Sequence, residues 1–226
     1  MNQIGVLNEQ SLHAKLKAWY AGEQGLIEAM VDGYIIDVVR GECLIEIQTS
    51  NFSKIKSKLA NLAKNHSVKL VYPIAREKWL LKLPRDEKTG QVRRKSPKSG
   101  DVYEIFDELV SFPELILEPR FSIELALIHV EEVRRYSGNK LWRRSGWEIV
   151  DRRLIRVDET FLLQDAKSFS QLLPKNLTEG FTTRDLADST GISFRSAQKV
   201  VYCLRKMDVL KICGKRGRYN CYTRSQ

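Results

Sequence analysis

The residues most able to do chemistry are two carboxylates, Asp37 and Glu46, which lie in one stretch of β-forming residues. The stretch covers 33–50 and reads GYIIDVVRGECLIEIQTS, and a two-residue turn at its Arg-Gly pair would make it a hairpin. In that register Asp37 lies opposite Leu44, with Glu46 diagonal to Asp37 on the same face. Apolar residues on both faces predict that the hairpin is buried. Because an unpaired buried charge is very costly, a bound cation is the simplest reason for two carboxylates there.

Two carboxylates in this arrangement suit a divalent metal that promotes hydrolysis of a phosphodiester bond. Such a metal offsets charge on the phosphate and lowers the pKa of the attacking water. Mg²⁺ prefers hard oxygen ligands; Asp37 and Glu46 supply two, and the carbonyl of Ile47 adds a third. Gln48 lies two residues beyond Glu46 on the same face, where a side chain can orient or activate the nucleophile.

A helix is predicted ahead of the hairpin, from Asn8, which can cap its first turn, to about Tyr20. Three apolar side chains form its inner stripe: Leu12, Leu16 and Trp19. Glu9 lies on that same stripe. An acid in the first turn of a helix is ordinary, because it interacts favourably with the helix dipole, so only its inward placement makes Glu9 a candidate site residue.

A strand at 26–31 joins this helix to the hairpin through a tight Asp-Gly turn. Pairing across that turn sets Glu28 opposite Asp37. Glu28 is therefore either another member of the acidic cluster or a glutamate of an edge strand that faces solvent, and neither interpretation is favoured.

After the hairpin, the sequence predicts a lysine-rich amphipathic helix at 53–65 and an apolar strand at 68–72 that Pro73 ends. A strand, a helix and a second strand form a crossover, so the last strand is parallel to the hairpin strand before it. The predicted order is helix, three antiparallel strands, helix, strand. A further strand is predicted at 79–83.

Residues 8–74 resemble the PD-(D/E)XK nuclease superfamily, which includes restriction endonucleases, Holliday-junction resolvases and transposon-end endonucleases. The strands GYIIDVV and LIEIQ carry the motif, and the predicted order of elements is the order of the superfamily core. The resemblance implies that Asp37 and Glu46 are ligands of Mg²⁺ or Mn²⁺. By position, Gln48 replaces the usual lysine, and Glu9 is the helix carboxylate that some branches use.

Gln48 departs from the pattern, because glutamine can neither act as a base nor carry positive charge. Lys54 and Lys56 of the following helix could replace part of that charge. The resemblance predicts a metal-dependent DNA endonuclease. The alternatives are a catalytically inactive DNA-binding regulator and an assembly subunit of a defence or transposition complex.

The segment 177–226 predicts two helices and a basic hairpin. Thr182 or Thr183 caps the first helix, a Gly191 turn follows, and the second helix covers 194–207. This segment resembles a winged helix-turn-helix domain, whose second helix enters the major groove. The resemblance implies these DNA-binding residues on the second helix and the wing tip: Ser193, Arg195, Ser196, Gln198, Lys199, Lys215, Arg216 and Arg218. Winged helices also serve protein contacts, which is the alternative.

The charge of the chain is uneven and indicates a polyanionic partner. Over all 226 residues the formal net charge is +10. Residues 180–226 carry ten Lys or Arg and three Asp, and 84–98 carry six basic and two acidic residues, whereas 99–139 carry three basic and nine acidic. Localised basic blocks favour nucleic acid as the partner, here DNA, although a generally basic surface would give the same net charge.

Together these features predict an α+β protein of two domains. Residues 1–173 form a nuclease-like domain, in which helices flank a mixed central sheet of restriction-endonuclease type. Its core covers 8–83, and 101–160 are an α+β extension. Residues 177–226 form the winged-helix domain. Other enzyme classes have little support, because no phosphate-binding loop, Rossmann glycine pattern or serine or cysteine nucleophile constellation is present.

The sequence favours a cytoplasmic protein without a membrane span. No apolar run approaches the roughly 20 residues that cross a bilayer, and the N-terminus has no signal-peptide pattern. The four cysteines show no Cys-x-x-Cys pairing, so reduced thiols are expected. By resemblance alone a homodimer is allowed, because double-strand cleavage in this superfamily usually takes two active sites.

Overall fold

The structure is a computed structural model, and it describes residues 11–86, 89–138 and 146–225. The helices are α1 (Ser11–Ala21), α2 (Phe52–Leu62), α3 (Ile105–Leu109), α4 (Ala166–Ser170), α5 (Thr183–Thr190) and α6 (Phe194–Lys206). The strands are β1 (Leu26–Val31), β2 (Tyr34–Arg40), β3 (Cys43–Ile47), β4 (Ser67–Lys82), β5 (Val92–Lys95), β6 (Phe121–Tyr136), β7 (Trp147–Leu163), β8 (Phe181–Thr182), β9 (Leu210–Arg216) and β10 (Tyr219–Arg224). Two 3-10 helices cover Val102–Glu104 and Pro113–Leu117.

A seven-stranded mixed sheet forms the centre of the molecule. Its strand order is β1-β2-β3-β4-β6-β7, and β5 pairs with β4. Strands β1, β2 and β3 are antiparallel, β4 is parallel to both β3 and β6, and β7 is antiparallel to β6. A second, three-stranded sheet has the order β8-β10-β9. The predicted class, a mixed α+β fold with a central mixed sheet flanked by helices, is confirmed.

Strand β4 is one continuous strand of 16 residues, so the prediction that Pro73 ends a strand at 72 and that another begins at 79 was wrong. On the β3 side, Val71 accepts a hydrogen bond from the Gln48 N–H, and Pro73 faces the same side two residues later. At that level β3 has already ended at Ile47. Because proline lacks an N–H, it is tolerated where that edge of the strand has no β3 partner.

Two hydrophobic cores lie on opposite faces of the central sheet, since neighbouring residues such as Leu44 and Ile45 contribute to different cores. The smaller core lies under α1 and includes Leu16. The larger core lies under α2 and continues through α3 and α4 into α5 and α6, with Phe169 and Leu204 among its fully buried residues. The C-terminal segment is therefore packed on the α2 face of the sheet.

None of the helices within the described ranges is both long and apolar enough to cross a membrane.

Candidate functional site

The hairpin of β2 and β3 turns at Gly41-Glu42, one residue later than predicted. Arg40 pairs with Cys43, and Val38 pairs with Ile45. Glycine is favoured at the first position of a type II′ two-residue turn, and Gly41 has the positive φ (+58°) that such a turn needs. The prediction that Asp37 lies opposite Leu44 was therefore wrong. The observed register places Asp37 directly level with Glu46.

Strand β2 loses its regular alternation at Asp37. Ile36 packs in the core under α2 and Val38 in the core under α1, although residues two apart in a regular strand share a face. At this point, carboxylate side chains accept the hydrogen bonds from backbone N–H groups that would otherwise join β2 to β3. The Ile47 N–H donates to Asp37 Oδ2 at 2.8 Å, and the Asp37 N–H donates to Glu46 Oε1 at 3.3 Å. Both carboxylates are thereby held between β2 and β3, with Asp37 in the middle of β2 and Glu46 near the end of β3.

Asp37 also contacts His13 of α1. The His13 Nε2 atom lies 3.2 Å from Asp37 Oδ2 and 3.1 Å from the Ile47 carbonyl oxygen. Burial raises the pKa of Asp37, but the hydrogen bonds from His13 and the Ile47 N–H, together with the charges of His13 and Lys17, outweigh burial and leave that pKa below its usual value. Asp37 is therefore ionised at neutral pH.

Glu46 is only 5% exposed and is paired with Lys58 of α2. Lys58 Nζ lies 2.5 Å from Glu46 Oε1 and donates to the Ile35 carbonyl at 2.6 Å. Burial raises the pKa of Glu46 and the charge of Asp37 adds to that rise; the Lys58 ammonium opposes both, and the net pKa is above its usual value.

The strand pairing on either side of Glu28 places this residue of β1 level with Asp37. The Glu28 carboxylate, however, contacts Lys17 of α1. Ile27 pairs with Val38 on one side of this position, and Glu28 itself has a φ of +56°. Lys17 Nζ lies 2.6 Å from Glu28 Oε1, and the Lys17 side chain is 5% exposed. Glu28, Asp37 and Glu46 thus form a row across β1, β2 and β3, which we call the acidic row. Each of the three lies beside a basic residue.

Gln48, at the predicted lysine position, has its amide in the loop that follows β3. Its Nε2 donates to the Ser50 carbonyl at 2.6 Å. Lys54 and Lys56, the predicted substitutes for the missing charge, are both exposed, and Lys58 is the helix lysine that reaches the acidic row. Helical periodicity could have found it, because Lys58 is three residues after Ile55 on the inner side of α2.

His13 and Lys17 are the other residues that the sequence alone did not bring into the site. His13 is one turn beyond Glu9 at the edge of the inner stripe, which was the available signal. Glu9 itself lies outside the described residues.

The donors at this site are two side chains and a carbonyl. Among the described residues, no group of three His, Cys, Asp or Glu side chains is arranged to hold a metal ion. Asp37 Oδ2 and the Ile47 carbonyl oxygen nevertheless both contact one atom, His13 Nε2, and so face a common point. A divalent cation bound here would take these two oxygens in place of the His13 contact and would complete its coordination with water.

The predicted DNA-binding residues of α6 separate into two groups. Arg195 and Gln198 are exposed. Ser193 and Ser196 are bonded at the start of the helix, where Ser193 Oγ accepts from the Ser196 N–H at 3.1 Å. Lys199 instead faces α3, with its Nζ 2.9 Å from Asp107 Oδ1, so it is not on the exposed face.

One flank of α6 is covered by acidic elements. Two turns beyond Lys199, Lys206 pairs with Glu114 of the second 3-10 helix at 3.0 Å. Cys203, which lies between the two lysines, is fully buried. The exposed face therefore continues through Tyr202 and Arg205.

The basic hairpin of β9 and β10 turns at Gly217-Arg218. Lys215 is exposed on β9. Arg216 is tied to α5, with Nη1 2.9 Å from Asp185 Oδ2. Arg218 lies over the Tyr219 ring and donates to its hydroxyl at 3.0 Å. The hairpin tip thus presents Lys215 and Arg218, while Arg216 anchors it.

Comparison with known proteins finds a matching family model and a relative that aligns with nearly the whole chain. The family model described as a domain of unknown function (DUF8091) matches residues 10–164, the span that contains the acidic row. An uncharacterized protein of Treponema pallidum (strain Nichols) is 31% identical over 223 residues, which is 97% of this chain and 86% of the relative. No solved structure matches the chain.

Proposed function

The chain belongs to the DUF8091 family, and we propose that it is a metal-dependent DNA endonuclease that hydrolyses phosphodiester bonds. The observation that carries the proposal is the pair of carboxylates Asp37 and Glu46, held level on adjacent strands, with Asp37 and the Ile47 carbonyl facing one point. Lys58 and His13 each contact one of these carboxylates, but the two negative charges still repel each other, and a divalent cation between them would remove that cost.

The order of elements supports assignment to the PD-(D/E)XK superfamily. Helix α1, the meander β1-β2-β3, helix α2 and the parallel strand β4 follow one another as in that superfamily's core. Asp37 lies in the middle of β2 and Glu46 near the end of β3, on neighbouring strands as the resemblance implies.

Asp37, Glu46 and the Ile47 carbonyl would hold Mg²⁺ or Mn²⁺. The metal, when bound, offsets charge on the phosphate and lowers the pKa of the attacking water. Asp37 is suited to this role because its lowered pKa keeps it ionised at neutral pH. Asp37 is also fixed by the Ile47 N–H, so its position needs little reorganisation when the cation arrives.

Lys58 takes over the positive charge that Gln48 lacks. Its ammonium lies against Glu46 and close to the strand ends where the phosphate would sit. A fixed cation beside the phosphate stabilises the charge that develops on it during hydrolysis. Gln48, bonded to Ser50, then keeps the loop after β3 in place.

The C-terminal elements would direct the protein to DNA as a winged helix. Strand β8, helices α5 and α6 and the β9-β10 hairpin follow the order of that domain. Arg195 and Gln198 are exposed on α6, and these residue types make bidentate contacts to guanine and adenine. Lys215 and Arg218 at the hairpin tip would contact phosphates.

The test is cleavage of supercoiled, linear and branched DNA by the purified full chain with Mg²⁺ or Mn²⁺. We expect Asp37→Asn and Glu46→Gln each to reduce cleavage about 10²-fold or more, as loss of a charge-stabilising group does in other enzymes. Glu42→Gln is the matched control, because Glu42 is an exposed carboxylate in the turn of the same hairpin. Cleavage unchanged in both site variants refutes the proposed site.

The second candidate is a catalytically inactive DNA-binding regulator or an assembly subunit. The amide at Gln48 and the ion pairs that already involve Asp37 and Glu46 favour it, since the acids could then be purely structural. It predicts that the protein binds DNA through α6 and the β9-β10 hairpin but cleaves no substrate with either metal.

A further inference from the structure

We propose that a cleft over β4, β6 and β7 binds a phosphate monoester, the group that ends a nucleotide or a phosphorylated nucleic-acid strand. Leu70 of β4 pairs with Glu46 of the acidic row, whereas Arg76, which lines the cleft, lies six residues further along the same strand. At about 3.3 Å per residue, the two places are about 20 Å apart. The inference therefore concerns a second site and does not rest on the proposed endonuclease.

Three strands form the floor of this cleft, and residues 95–99, which follow β5, form its wall. Glu77 of β4, His129 of β6 and Arg156 of β7 are paired side by side across the floor. The cleft has a volume of about 680 Å³, which is in the range of small-molecule binding sites.

The wall is fixed to β4 by its backbone and by a serine. Ser99 Oγ donates to the Arg76 carbonyl at 2.7 Å, and the Gly100 N–H donates to the Ala75 carbonyl at 2.8 Å. A Cβ atom on Gly100 would lie 2.7 Å from the Ile74 side chain, which is too close for any other residue without a shift. Glycine thus allows the wall to lie directly against the strand.

Two β-bulges place side chains in this cleft. Arg76 is an extra residue in β4, because its two neighbours pair with the consecutive residues Ile128 and His129 of β6. Asp158 is an extra residue in β7, because its two neighbours pair with the consecutive residues Leu127 and Ile128. Arg76 Nη1 and Asp158 Oδ2 lie 3.3 Å apart. Bulges are frequent beside functional sites, where they change the direction of a side chain, and here two of them flank the same part of β6.

Basic side chains outnumber carboxylates in the cleft. Its lining contains four basic side chains and two carboxylates: Arg76, Lys95, Lys98 and Arg156, and Glu77 and Asp158. With histidine counted as neutral, this leaves a surplus of two positive charges. A phosphate monoester on a side chain carries about −1.5 to −2 at pH 7, so this class of ligand matches the surplus.

The carboxylates hold the arginines in place without using all of their donors. Arg76 contacts both Asp158 and Glu159 through Nη1, each at 3.3 Å, and Arg156 Nη2 lies 3.0 Å from Asp158 Oδ1. A guanidinium has five N–H donors in a planar fork, and this fork suits the oxygens of a phosphate. Since the Arg76 and Arg156 side chains are 50% and 60% exposed, a phosphate from solvent can contact their other nitrogens.

The first experiment measures ligand binding to the full chain by isothermal titration calorimetry. A chelator is present, so that metal at the acidic row does not contribute. The ligands are AMP and adenosine, and a short oligothymidylate with a 5′-phosphate or a 5′-hydroxyl. We expect the phosphorylated member of at least one pair to bind more tightly, because the other member lacks the phosphate monoester.

The pair that shows the preference identifies the source of the phosphate. A preference for AMP over adenosine alone indicates a free nucleotide, whereas a preference for the 5′-phosphorylated strand indicates a nucleic-acid end. Equal binding within both pairs, or no binding of either phosphorylated ligand at millimolar concentration, overturns the inference.

The second experiment compares Arg156→Gln with Arg153→Gln. Arg153 is a matched control, because it is an arginine of the same strand whose Nε lies 3.1 Å from Asp151 Oδ2, outside the cleft. We expect only Arg156→Gln to weaken binding of the phosphorylated ligand, at least about 10-fold, because a hydrogen bond to a charged group is worth that much. Lys98→Glu changes an exposed residue of the wall, leaves the floor intact and should weaken binding similarly. Wild-type affinity in a folded Arg156→Gln or Lys98→Glu overturns the inference and leaves these residues as a structural network of ion pairs.

Discussion

Removing the Lys58 ammonium should destabilise the protein strongly and in a pH-dependent way. Lys58→Met keeps the length of the side chain but leaves the Glu46 carboxylate, whose side chain is 7% exposed, without the cation 2.5 Å away. Breaking a buried pair by removing one partner costs about 3–5 kcal/mol. Since Lys58 itself is 19% exposed, we expect the lower end, about 3 kcal/mol at neutral pH. For a chain of this length that is a fall in Tm of about 6–12 °C.

The pH dependence follows from the sign of the Glu46 pKa shift. In the folded protein this pKa is above the usual 4.5, so the folded state holds the proton more tightly and stability falls as pH rises through that window. Lys58 lowers the Glu46 pKa, so in Lys58→Met the pKa of Glu46 in the folded protein is higher. The pH range over which stability falls therefore extends to higher pH. The loss of stability should therefore be small below pH 4.5, where Glu46 is protonated in both states, and should grow towards neutral pH.

The assay is urea unfolding at several pH values in the presence of a chelator, so that metal binding does not contribute. Lys54→Met is the control, because Lys54 is an exposed lysine on the same helix. Adding Glu46→Gln to Lys58→Met should recover most of the lost stability, because it removes the uncompensated charge. Equal effects of the two lysine variants at neutral pH, or no recovery in the double variant, would show that the pair is not the source of stability.

Two further predictions concern DNA binding and the buried polar network. Arg195→Ala should cost about 1–3 kcal/mol of binding and relax sequence preference, whereas Arg218→Ala should weaken binding to all sequences alike, as measured by fluorescence anisotropy. Undiminished binding by both would favour a protein-contact role for this segment. Tyr20→Phe should cost about 1.5–3 kcal/mol in urea unfolding, because the Tyr20 hydroxyl donates to the buried Glu124 carboxylate at 2.7 Å. An unfolding free energy unchanged within error would contradict that assignment.

In helix α1, the spacing of apolar residues predicts only part of which side chains are buried. The inner stripe correctly includes Leu12 and Leu16, but Trp19 is 50% exposed and Lys17 is 4% exposed. Hydrophobicity alone places a tryptophan inside and a lysine outside. Lys17 is buried because Glu28 on β1 lies within reach of its ammonium, and this partner is known only once the strand is placed beside the helix.

Strand β4 and helix α6 also contain residues whose environment local sequence does not predict. Pro73 reads as a strand end, yet β4 continues because β3 has already ended beside it. Lys199 has the spacing of a DNA-facing residue, yet α3 lies against that flank of α6 and Asp107 takes its charge. In both cases the outcome depends on which element is the neighbour.

By itself the sequence determined the order of the elements from α1 to β4, narrowed the cap of α5 to Thr182 or Thr183, and placed Asp37 and Glu46 on adjacent strands. These features follow from local preferences, such as alternation, glycine turns and capping, which act over a few residues. Only the tertiary structure decided the hairpin register and the approach of His13 and Lys58 to the two carboxylates. Those contacts join residues on separate helices and strands, and their energy comes from burial and charge pairing that exist only after the elements have packed.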